Sequence, residues 1–574
     1  MKMLTMLTLT LAITFTSFAQ NKTDAFSKSA IRNISETISS MDDEGNKKLP
    51  SMLSKEEGVY QIKCLIKVKD ESLENEIILN GGKVIVKAGD IWGIKIPFNN
   101  LEEILQQPAL ARLSVSKKMK LQNFEAAKSV EVDSIHQGKA GGVVLKGEGV
   151  IVGVCDTGID FMHPDFIKDN STRIEYIWDM SETTYHNPPE GYSVGAEYSS
   201  EDIESGMCYQ EDVYGHGTHV TATAAGNGNG NPKFTGMAPK ADILSAKISY
   251  DRESHEFASD IDIISATDWM FTKAEEAGKP IVINMSFGWM FGPHDGTGLL
   301  SQGLSNITGP GKVIVASAGN SAKIPMHTGT DYEAGEYYEN VVMPFANICR
   351  RLRGTCPDDH RFFATGSELW YTENSIDSIF VTAYKLNSSS MQYEPDIIKG
   401  YAAGELVTND TVKLDSMNAY INLDQTQYEN KYNTGNAIVL IHNNGSAYHE
   451  HVSGQAWGIR VKTNASGRID MWSFVSADEN NLNNFVVNDL KINMLPSDTE
   501  MMVGSPADAE EVISVGSYTT LDEFTNSDGN VMSFEITPGE ISQFSSGGPN
   551  RQYLLPENSL FLRFQVIKNI LTLR

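Results

Sequence analysis

Along the chain the rhythm of apolar and polar positions changes three times, and each rhythm predicts a different kind of element. From Tyr60 the apolar residues alternate as Tyr60, Ile62, Cys64, Ile66 and Val68, the period of two expected of a half-buried strand. Residues 84–86 and 91–96 read as two further strands. Residues 100–105 read as a short helix capped by Asn100, with Glu103 three residues on and Pro108 closing it. Together these predict a small α+β unit. From Gly147 the texture becomes α/β. Residues 150–154, 242–248, 281–285 and 313–316 are largely apolar runs, the mark of strands buried on both faces of a parallel sheet. Between them, residues 260–277 carry a helical stripe at Ile263, Ala266, Met270, Ala274 and Ala277, stopped by Gly278 and Pro280. Strands alternating with helices predict a doubly wound parallel sheet. From about Asp331 to Leu495 helical periodicity is largely absent. Short alternating runs at 379–384, 437–441, 457–461 and 469–474, set among Asn- and Gly-rich turns, predict an all-β sandwich inserted into the α/β unit. The α/β texture resumes at Ala507.

Composition narrows the class. Lys and Arg number 46 against 74 Asp and Glu, a formal net charge of −28, which repels a phosphate backbone and makes nucleic acid a poor partner. Five cysteines, Cys64, Cys155, Cys208, Cys349 and Cys356, are too few for a disulfide scaffold or a zinc ribbon. Cys349 and Cys356 are near enough in sequence to pair, a point the sequence leaves open; the others read as small buried hydrophobes. At the amino terminus, Lys2 is followed by an apolar stretch to Phe18 and then by small residues at 17 and 19. That is a secretory signal peptide cut after Ala19, predicting a secreted or periplasmic protein. No Cys follows the cut to take a lipid, and no run of 18 apolar residues occurs, so no membrane anchor is expected.

Three short segments carry candidate chemistry. Asp156-Thr157-Gly158 ends the first α/β strand, where open parallel sheets place their ligands. His216 lies between Gly215 and Gly217, at the head of a small-residue helix ended by Gly226, and flanking glycines let a backbone pass close to the imidazole. Asn320 follows the run 313–319, and its side-chain amide is a donor that could face a developing oxyanion. Each alone would be read as a turn or a loop. In the insert, His442, His449 and His451 do not make the three or four converging ligands that zinc needs, and they read as surface histidines.

The three segments in this order, with His163-Pro164-Asp165-Phe166, Gly236-Met237-Ala238-Pro239, Ser286-Phe287-Gly288, Gly504-Ser505-Pro506-Ala507 and Phe544-Ser545-Ser546, resemble the subtilases, the subtilisin-like serine proteases. The resemblance runs from about Gly147 to Pro549. It implies a parallel sheet with helices on both faces, interrupted by an insert that looks like the jelly roll of the Csp-type (spore-germination) branch and preceded by an inhibitory prodomain. It implies that Asp156 orients His216, that His216 is the general base, and that Asn320 donates to the oxyanion. Ser286, Phe287 and Gly288, with Ala318 and Gly319, would bind a polypeptide substrate in extended form. His219, His163 and Asp160 would be structural neighbours. No cofactor is implied, though the family allows a structural calcium; the implied partners are the substrate and the chain's own prodomain.

The family's Gly-Thr-Ser, which carries the nucleophile, does not occur in these 574 residues, and Ser545 and Ser546 match a structural position instead. The expected layout is a signal peptide at 1–19, a prodomain at 20–135, the subtilase unit at 136–330 and 499–549, the insert at 331–498 and an aberrant tail at 550–574. The expected function is a secreted subtilisin-like endopeptidase, inactive here for want of its serine. The alternative is a non-catalytic subtilase fold with a binding or regulatory role; an unrelated zinc hydrolase stands third. The missing partner for the sheet leads to a further expectation, that residues 151–154, 281–285 and 313–316 lose apolar cover.

Overall fold

The computed structural model describes most residues between Lys22 and Arg551. Outside the described residues lie 1–21, 40–52, 116–119, 122–131, 183–185, 252–255, 323–325, 343–361, 414–417, 429–431, 445–454, 478–497, 520–522, 526–530, 534–536, 549–550, 552–574 and single positions elsewhere. The signal-peptide region, Cys349, Cys356, His449, His451 and the tail beyond Arg551 therefore fall outside them.

The amino-terminal unit is an antiparallel sheet of β1 (Leu53–Glu56), β2 (Val59–Val68), β3 (Lys83–Ala88), β4 (Ile91–Pro97) and β5 (Leu110–Val115). Its order is β1-β2-β4-β3, with β5 also on β2. Alternation sends Ile62, Cys64, Ile66, Trp92 and Ile94 to one face, where they bury against α1 (Ala25–Ser39), α2 (Leu73–Leu79) and α3 (Leu101–Leu105). Leu65, Val86, Ala88 and Ile91 share the core of the α/β unit. The cap predicted for α3 is not made: the Asn100 side chain gives no capping bond and instead donates to the Asn80 carbonyl at 2.9 Å. A two-residue strand, β6 (Lys120–Leu121), follows.

In the α/β unit, β7 (Ile151–Asp156), β8 (Ile174–Asp179), β9 (Ala196–Ser199), β10 (Asp242–Lys247), β11 (Ile281–Met285), β13 (Lys312–Ser317) and β24 (Val512–Val515) form one sheet in the order β9-β8-β10-β7-β11-β13-β24. All neighbours run parallel except β8 and β9. The long helix α5 (Asp260–Ala277) has the bounds its stripe predicts. A reciprocal box between Ser259 and Asp262 opens it, and Gly278 at φ +63° closes it. Ile261, Ile263, Ile264, Ala266, Trp269, Met270, Phe271 and Ala274 bury its inner side.

Cover on the opposite face of the sheet is uneven. Val152 and Val154 of β7 are buried with Val220 and Ala225 of α4 (His216–Ala225). In register beside them, Val282 is 37% exposed, and further along the same face Ile513 is 43% and Val515 37% exposed. The expected loss of cover is thus corrected at 151–154, which is buried throughout. At β11 it holds for Val282 while Ile281, Ile283 and Met285 are buried, and at β13 Ile314 and Ala316 are buried. The exposed Ile513 and Val515 lie on β24, which the expectation did not name.

Between β13 and β24 the chain leaves for two antiparallel sheets. One has the order β14 (His327–Tyr332), β23 (Gly467–Ala477), β16 (Phe362–Thr372), β21 (Thr434–Asn444), β20 (Asn418–Tyr428), β19 (Val407–Lys413). The other runs β15 (Tyr337–Val342), β22 (Gln455–Thr463), β17 (Ile376–Asn387), β18 (Gln392–Ala402). Leu369, Leu423, Val439 and Met471 of the first share one core with Ile379, Val381, Trp457 and Ile459 of the second. The insert begins at His327, four residues before the expected boundary.

Candidate active site

Strand β7 delivers Asp156 to the carboxyl-end edge of the sheet, 1% exposed. Its Oδ1 accepts hydrogen bonds from His216 Nδ1 at 2.6 Å and from the Thr157 N–H at 2.7 Å. Burial pushes the Asp156 carboxyl above its usual range, against the opposing pull of His216 and of the Thr157 N–H. A carboxylate so placed fixes the ring's orientation and favours the proton on Nδ1, leaving Nε2 as the basic nitrogen.

The other side of the pair is held by the start of α4. Gly215, at φ +72°, precedes His216 as the N-cap. Thr157 Oγ1 accepts from the Gly217 N–H at 2.8 Å and donates to Asp212 Oδ1 at 2.8 Å. Asp212 Oδ2 takes the Thr218 N–H at 2.8 Å and its hydroxyl at 2.6 Å. A carboxylate at the first turn of a helix meets orphan N–H groups and the positive end of the helix dipole. Asp212 and Thr157 therefore position His216, and the sequence reading named neither in that role. The signal was present as an Asp four residues before a helix-opening His. Gly217 is required by space: a Cβ there would stand 2.1 Å from the Gly158 carbonyl oxygen. His219 lies one turn along α4, its imidazole lowered by burial and then by the charge of His216. His163 accepts from the Asp165 N–H and Asp160 from the Met162 N–H, both local contacts.

Two strands from β7, at the same edge, β13 is followed by Ala318, Gly319 and exposed Asn320. Adjacent strands are spaced by about 4.8 Å, which puts this loop about 10 Å across the sheet from Asp156. Its backbone is stitched from both sides. The Ala318 N–H donates to Val515 O at 2.9 Å, the Ser546 N–H to Gly319 O at 2.8 Å, and the Ser321 N–H to Ser546 Oγ at 3.2 Å. Ser545 Oγ accepts from the Ser517 N–H at 3.0 Å. Ser545 and Ser546 are buried structural residues.

Between these edges lies the expected substrate segment. Ser286 Oγ accepts from the Asn284 amide at 2.9 Å, and Phe287–Gly288 form strand β12 with the Phe287 ring buried. The strand is already paired: Phe287 faces Leu121 and Gly288 faces Lys120 of β6, antiparallel. Beyond it the insert holds the chain. The Gly292 N–H donates to Glu368 Oε2 at 2.9 Å, and His294 stacks on Trp472 with centroids 4.1 Å apart and planes 4° apart. None of these insert residues was singled out by sequence. Among the described residues no group of three or more His, Cys, Asp or Glu side chains is gathered to hold a metal. No ligand set is therefore assigned to the calcium that the family allows.

A buried Asp–His pair at one strand end, an Asn just past the end of another strand, and a short strand paired with β6 thus lie at one edge of the sheet. Comparison finds a likeness to one family. Residues 147–343 match the model of the subtilase family (Peptidase_S8) and are similar to subtilisin-like serine proteases. A subtilisin of Bacillus sp. (strain TA39) is 29% identical over 175 residues, 30% of this chain and 34% of that one. Subtilisin DY of Bacillus licheniformis is 29% identical over 224 residues, 39% of this chain and 64% of that one. The chain thus spans between a third and two thirds of the length of these curated relatives. The structure of the Clostridium perfringens CspB protease matches 74% of this chain and 77% of that one, with a TM-score of 0.51 and 24% identity, a likeness of fold. That likeness extends well beyond residues 147–343. No helix among the described residues is long and apolar enough to cross a membrane.

Proposed function

We propose that the chain is the base-bearing and substrate-pairing part of a secreted subtilisin-like endopeptidase. The observation that carries this is the 2.6 Å contact of His216 Nδ1 with buried Asp156, set at the sheet edge beside Asn320 and β12. In this reading His216 Nε2 takes the proton of an attacking hydroxyl, Asn320 donates to the oxyanion, and β12 pairs with the substrate backbone. The attacking hydroxyl itself is unassigned, since these 574 residues hold no Gly-Thr-Ser. The pairing of β6 with β12 supports a second part of the reading: residues 22–121 act as a prodomain that occupies the substrate strand. The two-sheet insert with its shared core supports a kinship with the jelly roll of the Csp-type branch. The apolar stretch after Lys2 supports export.

A peptidyl chloromethyl ketone tests the site, because it docks as an extended strand and alkylates a correctly placed imidazole. The expected result is alkylation of His216, slow while the amino-terminal unit is attached and faster once it is removed. A fluorophosphonate probe should label no serine of these 574 residues. Labelling at any serine would overturn the assignment of the nucleophile as absent from them. An unreactive His216 after removal of the amino-terminal unit would favour a non-catalytic binding role.

A further inference from the structure

We propose that the outer face of the insert's six-stranded sheet is a docking surface for helix α1, and that this contact ties the amino-terminal unit to the insert independently of the chain that links it to the α/β unit. The proposal rests on the reading above that this unit closes the substrate strand.

Helix α1 has two working faces. Ile31, Ile34 and Ile38, spaced by three and four, pack in the core of the amino-terminal unit with Ile62, Ile66 and Leu113. Lys28 and Arg32, one turn apart on another face, go to the insert instead. The Arg32 guanidinium pairs with Asp424 and donates to Val407 O and Thr408 Oγ1, each at 3.0 Å. Lys28 Nζ donates to Gln425 O at 3.1 Å. At the head of the helix the Ala25 N–H, one of the donors a helix leaves orphaned, goes to Asn436 Oδ1 at 2.8 Å, and Ala25 packs on Ile438.

Asp424, Asn436 and Ile438 alternate with the core residues Leu423, Ala437 and Val439, so they form the outer face of that sheet. All three are buried, and α1 is the described helix that lies on them.

The lead-in to α1 binds the other partner. The Leu113 N–H donates to Lys22 O at 2.7 Å, and Ser114 Oγ donates to Asp24 Oδ2 at 3.2 Å. From β5, Arg112 lies 4.8 Å over the Tyr428 ring of the insert and donates to Thr297 O at 3.3 Å. A protein of net charge −28 thus sets two cations of one helix against adjacent positions of one strand, Arg32 on the Asp424 carboxylate and Lys28 on the Gln425 carbonyl. A cation taken out of water is held only where its partners are in place, which makes the contact selective for a basic pair at this spacing.

The test uses the full chain with a specific protease site placed within 122–131, cut after folding, and follows release of the amino-terminal fragment by size-exclusion chromatography and by off-rate on a surface. The fragment should co-elute with the remainder. Arg32→Glu should raise the off-rate on the order of 100-fold, and Arg32→Glu with Asp424→Lys should restore most of it. An off-rate unmoved by Arg32→Glu, or a double variant that recovers nothing, overturns the docking surface. A peptide of residues 22–39 added to the cut wild-type protein gives a second measurement that needs no folded variant. It should displace the fragment's helix and speed release, its Arg32→Glu form should not, and equal effects overturn the proposal. Binding of an extended peptide to β12 is scored on the same samples. Failure of that binding after release would count against closure of the substrate strand, while the off-rates still judge the docking surface.

Discussion

The uneven cover of the parallel sheet makes a sharp prediction, because one face offers the same residue type in two environments. Val154 on β7 is fully buried beneath α4, whereas Val282 on β11 stands on the same face at 37% exposure. Val→Thr keeps the shape and exchanges a methyl for a hydroxyl. At Val154 the hydroxyl enters an apolar cluster, which costs about 1–3 kcal/mol. At Val282 it meets solvent, and the cost should stay within about 0.5 kcal/mol. The same reasoning fixes what the bare face forgoes. Complete burial of a Val or Ile contributes about 1.5–3 kcal/mol, so Val282, Ile513 and Val515, each about two-fifths exposed, leave on the order of 2–3 kcal/mol unrealised. Against a typical total of about 5–15 kcal/mol, that is enough to make the α/β unit the first to open.

Pulse proteolysis across a urea series, read by mass spectrometry of fragments from residues 147–318, measures the two variants side by side. Val154→Thr should lower the midpoint clearly and Val282→Thr should leave it nearly in place. A fragment near residues 335–477, which has its own core, should outlast both. If Val282→Thr costs as much as Val154→Thr, something outside the described residues covers β11, β13 and β24, and the reasoning fails.

Three further outcomes are expected. Gly217→Ala brings a Cβ to 2.1 Å of the Gly158 carbonyl, so the start of α4 must shift; alkylation of His216 by the chloromethyl ketone should nearly vanish while the insert's melting is unchanged. Asp156→Asn keeps the geometry but removes the charge that selects the ring's tautomer, and the same alkylation should fall on the order of 100-fold or more, with an unchanged rate refuting the pair's role. Burial alone would lower His327, but its contacts with Asp470 and Asp498 outweigh it and raise the imidazole above its usual value, among the neighbouring charges of Arg468, Arg551 and His294. A raised folded value means its stabilisation is full below about pH 6.5 and is lost as pH rises through the raised value; calorimetry should show the insert's transition falling as pH is raised above about 6.5, and flat in His327→Gln.

How much of this was legible in the sequence depends on where each residue's partners lie. Helix α5 was readable to the residue because its cap, its stripe and its Gly278 stop are all local. Asp156, His216 and Asn320 were readable because each closes a recognisable strand or opens a helix. The cap at Asn100 was misread for a reason of the opposite kind: its amide finds Asn80, twenty residues back, and that long-range bond displaces the local one. Helix α1 escaped the sequence reading altogether. Its stripe of Ile31, Ile34 and Ile38 is short, and its polar face reads as solvated until Asp424 and Asn436, some 400 residues away, are seen to cover it. The apolar runs at β11 and β13 record what a strand can bury, so they mark both as sheet strands. How much of each is covered depends on what other segment arrives. The expected loss of cover follows from the missing partner, and it fails at 151–154 because α4 lies there.

The place of the insert follows from the geometry of the sheet. β13 and β24 are neighbours in register, Ile314 opposite Val512 and Ser317 opposite Val515, although nearly 200 residues separate them. An insertion between adjacent strands is tolerated when its two ends come back together, since the sheet then sees only a short connection. Here they do: His327 bridges Asp498 in antiparallel fashion, and Trp289 beside β12 bridges Ser505. The consequence is chemical as well as topological. Asn320 stands seven residues before the insert's first strand, and β12 stands one residue before the bridge to Ser505, so the Asn320 loop and β12 are both fastened near the insert's two ends. A force that loosened the sandwich would reach the candidate site through those ends first, before it disturbed the Asp156–His216 pair held by β7 and α4.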